Sequence, residues 1–143
     1  MREPIELSVQ ECLDRLATEV FGRLAFTTPG GPRIVPVNYV LIDDNVVFRT
    51  TPYSEVATHA MGKAVAFEVD QVDYGRQIGW SVVVHGTLEE VDLTDLEDQP
   101  SAWVPQPWAG GVRNLHVRVR GQMLTGRRLR DDSISTPPPR RVL

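Results

Sequence analysis

Apolar residues recur at helical spacing once near the start of this chain, and at strand spacing almost everywhere after it. Val9, Cys12, Leu13 and Leu16 share a helical face. Ser8-Val9-Gln10-Glu11 places a hydroxyl at the helix start and a carboxylate three residues on, a capping box, so a short helix is predicted over 8–17. Cys12 lies on its apolar face and reads as a core thiol. Strands are predicted over Phe21–Thr27, Ile34–Leu41 and Val46–Phe48, with turns at Pro29-Gly30-Gly31-Pro32 and Asp43-Asp44-Asn45. Two hairpins in succession make an antiparallel meander.

A helix of about ten residues is expected from Thr51 to Gly62, with Pro52 at its first position and Gly62 as its C-terminal cap. Val65, Phe67 and Val69 alternate in a further strand. After a loop around Tyr74-Gly75-Arg76-Gln77, Trp80, Val82, Val84 and Leu88 face one side of a long strand, and Ser81, Val83, His85 and Thr87 the other. The acidic stretch 92–98 reads as a short helix, and Leu115, Val117 and Val119 as a strand that extends to Leu124-Thr125-Gly126. The sum is an α+β, mainly β protein: about six antiparallel strands with short helices, closed into a small β-barrel that hides its edges. One domain is expected over 1–130. The Ser, Thr, Pro and Arg of 131–143 offer no core face and read as a disordered tail.

Composition narrows the class. The chain has 143 residues, 41% hydrophobic and 24% charged, enough for one real core. A formal net charge of −4 argues against general nucleic-acid binding. Lys63 is the only lysine, so arginine carries nearly all the positive charge, and its planar fork suits carboxylates and phosphates. Glu89, Glu90, Asp92, Asp95, Glu97 and Asp98 form an acidic run. Arg113, Arg118, Arg120, Arg127, Arg128 and Arg130 follow with no acid among them. A single cysteine permits no intrachain disulfide, the N-terminus lacks the apolar run of a signal peptide, and no apolar segment is long enough to span a membrane; a cytoplasmic protein is expected.

The candidate chemistry gathers where the strand Val46-Val47-Phe48 meets the next helix. Arg49, Thr50, Thr51 and Ser54 put a guanidinium and three hydroxyls beside free helix-start N–H groups, a combination that favours a phosphate. The alternative is an ordinary capped junction. Pro36 inside a strand implies an edge or a bulge, which would expose backbone groups near Asn38. Trp80 fits either core or ligand contact, and Trp103 and Trp108 sit in a Pro-rich loop that covers either a groove or its own subunit. His59, His85 and His116 lack metal-ligand spacing, so no metal site is expected.

Gly22-Arg23-Leu24-Ala25, Pro36-Val37-Asn38-Tyr39, Phe48-Arg49-Thr50, Val65-Ala66-Phe67-Glu68-Val69-Asp70 and Gly79-Trp80-Ser81-Val82-Val83-Val84-His85-Gly86 occur in an order that resembles pyridoxamine-phosphate-oxidase-like flavoproteins, nearest the branch with the nitroimidazole-resistance proteins. The resemblance covers about 8–128. It implies an FMN-binding split β-barrel and a homodimer, with the cofactor in a groove between subunits. It implies that Arg49, Thr50, Thr51 and Ser54 hold the FMN phosphate. Pro36, Val37, Asn38 and Tyr39 would pass along the ring, with Trp80, Ser81 and Trp108 near it. Many relatives carry a lysine where this chain has Glu55, a repulsive neighbour for a phosphate unless it points away. No residue is assigned as catalytic acid or base. The expectation is an FMN-dependent oxidoreductase acting on a small molecule. Its rivals are a deazaflavin-dependent reductase that would use the Arg113–Arg130 cluster, a non-catalytic flavin or haem carrier, and a barrel with an empty groove.

Overall fold

The computed structural model describes residues 3–96 and 115–129. Its strands are β1 (Ile5–Glu6), β2 (Phe21–Thr28), β3 (Gly31–Asn38), β4 (Val40–Ile42), β5 (Asn45–Thr50), β6 (Ala64–Asp73), β7 (Ile78–Glu90) and β8 (Leu115–Leu129), with one α-helix, α1 (Val9–Leu16). All pairings between named strands are antiparallel, in the order β3-β2-β6-β7-β8-β5-β4, with β1 added on β8. The two ends of that order, β3 and β4, are consecutive in the chain and separated by Tyr39 alone. The sheet must therefore curl until its edges meet, and because β3 and β4 do not pair, the barrel is split there.

The predicted meander and barrel are present. Eight strands appear instead of six, because a two-residue β1 is added and the expected strand 34–41 breaks at Tyr39. The cause of the break is local. Tyr39 N–H still makes the β2–β3 ladder bond to Val20 O (3.0 Å), but its buried phenol donates to Leu16 O (2.6 Å), which commits the side chain to the core where the strand would otherwise continue. Pro32 and Pro36 both lie in β3, an edge strand, where a missing donor is harmless. Asp43 and Asp44 take positive φ (51° and 63°), the two-residue turn whose twist suits a hairpin.

α1 carries the predicted capping box: Glu11 N–H donates to Ser8 Oγ (3.2 Å), and Ser8 N–H to Glu11 Oε1 (3.2 Å). Cys12 and Leu16 are buried beneath it, whereas Val9, at the first turn, is exposed. The helix expected over Thr51–Gly62 is instead a five-residue π-type turn, Val56–Ala60. Pro52 sits in the irregular segment before it, not at its first position. Gly62 does close it, with φ +73°, and donates its N–H to Leu88 O (2.8 Å). Of the acidic stretch 92–98, the described residues form a 3₁₀ turn, Leu93–Leu96, and 97–98 lie outside them. Trp103, Trp108 and the tail 131–143 lie outside the described residues.

The barrel interior holds one core, built on Leu24, Phe26, Phe48, Phe67, Val82, Val84, Leu88, Val117 and Val119 and closed at one end by Cys12 and Leu16. Trp80 belongs to this core, and β7 alternates as predicted. Among the described residues, no helix is long and apolar enough to cross a membrane.

Candidate functional site

Inward-facing Phe48 and Thr50 flank Arg49 on β5, which turns Arg49 to the outer surface at the strand's end. Thr50 is buried, and its hydroxyl donates to Ser54 Oγ (2.8 Å). Ser54 Oγ also accepts the Ala57 N–H (3.1 Å), and Ser54 O accepts the Thr58 N–H (3.0 Å). With two donors arriving, Ser54 Oγ keeps its own hydrogen to give outward; among the described residues no acceptor takes it. Thr51 is half-buried and its carbonyl accepts the Ser54 N–H (3.2 Å). The expected helix dipole is weaker than the sequence implies, because a five-residue turn aligns too few peptides. An anion here would be held by side chains: the Arg49 guanidinium and the hydroxyl chain ending at Ser54.

The Glu55 carboxylate pairs with Arg33 Nε (3.4 Å), which offsets part of the repulsion expected from a carboxylate in the lysine position. Nothing in the sequence signalled that pairing, since the two residues meet only when β3 curls past the π-type turn.

Continuing the register of Val40 with Val47 would bring Asn38 level with Arg49, at the point where the barrel splits. Pro36 is exposed, while Val37 and Asn38 are half-buried. Asn38 Nδ2 lies 3.5 Å from Val20 O. Of the segment 36–39, Tyr39 is the exception. Its ring is buried edge-on against Phe67, with centroids 5.0 Å apart, and its hydroxyl is committed to Leu16, so its side chain is not presented to a ligand. Burial also drives the phenol pKa far up, with Glu19 adding to it.

Trp80 and Ser81 stand elsewhere. Arg49 pairs with His116 near the start of β8, whereas Ser81 pairs with Arg127, eleven positions further along that strand. One chain thus holds the Arg49 cluster and the Trp80–Ser81 pair at opposite ends of β8. Trp80 is buried with the Arg15 guanidinium 5.7 Å from its ring centroid, and it borders a groove with Ser81. Two members of the arginine run are already engaged: Arg118 and Arg120 both pair with Glu89. Burial alone would raise the Glu89 pKa, but those two cations outweigh it and hold it low. Among the described residues no three His, Cys, Asp or Glu side chains converge on a metal position.

A chain that folds as a split barrel matches a known family: the pyridoxamine 5'-phosphate oxidase family matches residues 8–128. The chain belongs to that family. An uncharacterized Mycobacterium tuberculosis protein, Rv0080, is 33% identical over 137 residues, covering 92% of this chain and 90% of the relative. Among solved structures, the FAD binding protein of Mycobacterium smegmatis superposes with a TM-score of 0.69 at 30% identity, covering 90% of this chain and 100% of that one. The FAD and heme binding protein of M. smegmatis shares the fold, with a TM-score of 0.65 at 16% identity over 88% of this chain and 74% of that one.

Proposed function

We propose that this protein is a cytoplasmic, homodimeric flavoprotein that binds FMN by its phosphate at the end of β5 and acts as an oxidoreductase on a small molecule. The observation that carries the reading is the hydroxyl relay from Thr50 to Ser54 beside Arg49, with Glu55 paired to Arg33. It supplies one charge-assisted donor set and offsets part of the opposing charge of that carboxylate. Family membership and the FAD binding relative at 30% identity support a flavin as the ligand.

Arg49 and Ser54 would hold the phosphate, with Thr50 fixing the Ser54 hydroxyl and Thr51 bordering them. Backbone groups of Val37 and Asn38 would border the ring. When bound, the isoalloxazine ring supplies the hydride and electron chemistry. The cluster recognises a group common to FMN and FAD. FMN is proposed because its single phosphate would end the ligand there. The pairing of Arg118 and Arg120 with Glu89 weighs against a deazaflavin with a long acidic tail, which would need those cations. The position of Trp80 and Ser81 at the far end of β8 supports a second copy, whose Trp80–Ser81 end would complete a groove against the first copy's Arg49.

Titration of the apo-protein with FMN and with FAD, read by flavin fluorescence, tests the assignment. Arg49→Ala is expected to weaken FMN by about 10- to 150-fold, the worth of a charge-assisted contact. An unchanged dissociation constant would remove Arg49 from the site, and tighter binding of FAD than FMN would overturn the choice between them.

A further inference from the structure

An apolar groove opens at the other end of the barrel. It measures about 540 Å³ and runs between the β6–β7 hairpin, the end of β8 and the N-terminal segment, and its walls are largely apolar: Pro4, Val72, Tyr74, Ile78 and Leu129. Trp80 and Arg128 also line it and are directly opposed in the β7–β8 ladder. Each carries a buried N–H, Trp80 Nε1 and Arg128 Nε, that has no acceptor among the described residues. A buried donor left unpaired costs about 1–3 kcal/mol, more when it is charged. Two such donors side by side are unexpected in a core unless something else accepts from them.

The local charge points the same way. Arg15 lies over the Trp80 ring, and both burial and the nearby Arg128 charge press its pKa down, so two guanidinium groups repel each other here. The surrounding acids are already engaged. Glu11 and Asp14 accept bonds within α1, Asp70 pairs with Arg23, and Asp73 accepts the Arg76 N–H. We propose that this groove binds a monocarboxylic acid with an apolar body, its two oxygens taking the Trp80 and Arg128 N–H groups and its chain lying along Val72, Ile78 and Leu129. A planar carboxylate offers one oxygen to each of two single donors. A phosphate dianion would need more donors and would face Asp70 and Asp73. The proposal shares Trp80 with the flavin reading, in which a second copy's Trp80–Ser81 end borders the ring, but it takes its charge from Arg128 and uses neither Arg49 nor Ser54, so Arg49→Ala is expected to leave octanoate affinity unchanged.

Calorimetric titration of the full-length protein with octanoate tests it. Octanoate is expected to bind, octyltrimethylammonium not to bind, and inorganic phosphate to bind at least tenfold more weakly than octanoate. Arg128→Gln is expected to weaken octanoate by about tenfold or more, and Trp80→Phe, which keeps the ring and removes only the N–H, by about three- to tenfold. Melting curves confirm that each variant is folded, and Trp80→Phe keeps the test open if Arg128→Gln is not. FMN affinity is expected to be unchanged in Arg128→Gln. Absence of octanoate binding, equal binding of the ammonium compound, or equal octanoate affinity in a folded variant would overturn the proposal. So would a parallel loss of FMN affinity, which would assign these donors to the flavin.

Discussion

At the scale of single residues, Tyr39 shows how one side chain alters what a pattern predicts. Its neighbours Val37 and Leu41 alternate like any strand, and the motif around it resembles a flavin-contacting segment. The hydroxyl instead donates to the Leu16 carbonyl inside the core, so the residue ends β3 and buttresses α1. Sequence carries no sign of a partner 23 positions away. Tyr39→Phe leaves that carbonyl with only the long Glu19 N–H bond (3.4 Å) and is expected to cost about 0.5–1.5 kcal/mol in urea unfolding. It also changes the pH dependence. Burial raises the folded-state pKa of both Tyr39 and Cys12, so each stays protonated in the fold after its unfolded counterpart ionises. Their stabilisation is complete below the unfolded pKa values, about 8.5 for the thiol and about 10 for the phenol, and is lost as pH rises toward the folded values. Wild-type urea midpoints should therefore fall above about pH 8.5. Cys12→Ala should delay the onset to about pH 10, and Tyr39→Phe should flatten the curve above that. A midpoint flat from pH 8 to 11 in the wild type would sink the argument.

At the scale of elements, strands were legible and the segment after β5 was not. Strict alternation over Trp80–Leu88 fixed the inward face of β7, and prolines marked β3 as an edge. The stretch Thr51–Gly62 has a proline and a glycine placed as a helix would want them, yet only five residues wind, as a π-type turn. Ser54 decides this, because its hydroxyl serves both Thr50 and the Ala57 N–H and so starts the turn late. The β7–β8 ladder also carries a register shift between His85 and Gly86, a bulge that alternation alone does not announce. A Cβ on Gly86 would clash with Arg120 O, a backbone atom that cannot swing aside. Gly86→Ala is accordingly expected to destabilise by about 3 kcal/mol, the upper range for overpacking, or to leave little soluble protein. Chemical denaturation measures the first outcome and expression yield the second. A variant as stable as wild type would mean that the ladder can slide to relieve the contact.

At the scale of the whole molecule, the Arg49, Thr50 and Ser54 cluster was legible because its residues adjoin in sequence, whereas the face proposed to meet a second copy was not, because its residues come from five strands far apart in the chain. The outer sheet face carries a continuous cross-strand row, Ile34–Ala25–Ala66–His85–Met123, from β3 to β8. Ile34 is 70% exposed and Met123 54%. A row this apolar across five strands is what an interface with another copy would cover, and exposed apolar patches on soluble proteins mark such surfaces. The same reasoning joins oligomeric state to ligand binding: if the Arg49 end of one copy needs the Trp80–Ser81 end of another, dissociating the dimer must weaken the flavin. Met123→Glu sets a carboxylate in the row without touching Arg49, Thr50 or Ser54. It is expected to give monomers by light scattering at concentrations where the wild type is dimeric, to leave the melting transition cooperative, and to lower FMN affinity about tenfold or more, since the proposed Trp80–Ser81 contacts would depart with the partner. A wild type that is monomeric throughout, or a monomeric Met123→Glu protein that binds FMN as tightly as the dimer, would place the whole site within one chain and remove the role given to the second copy.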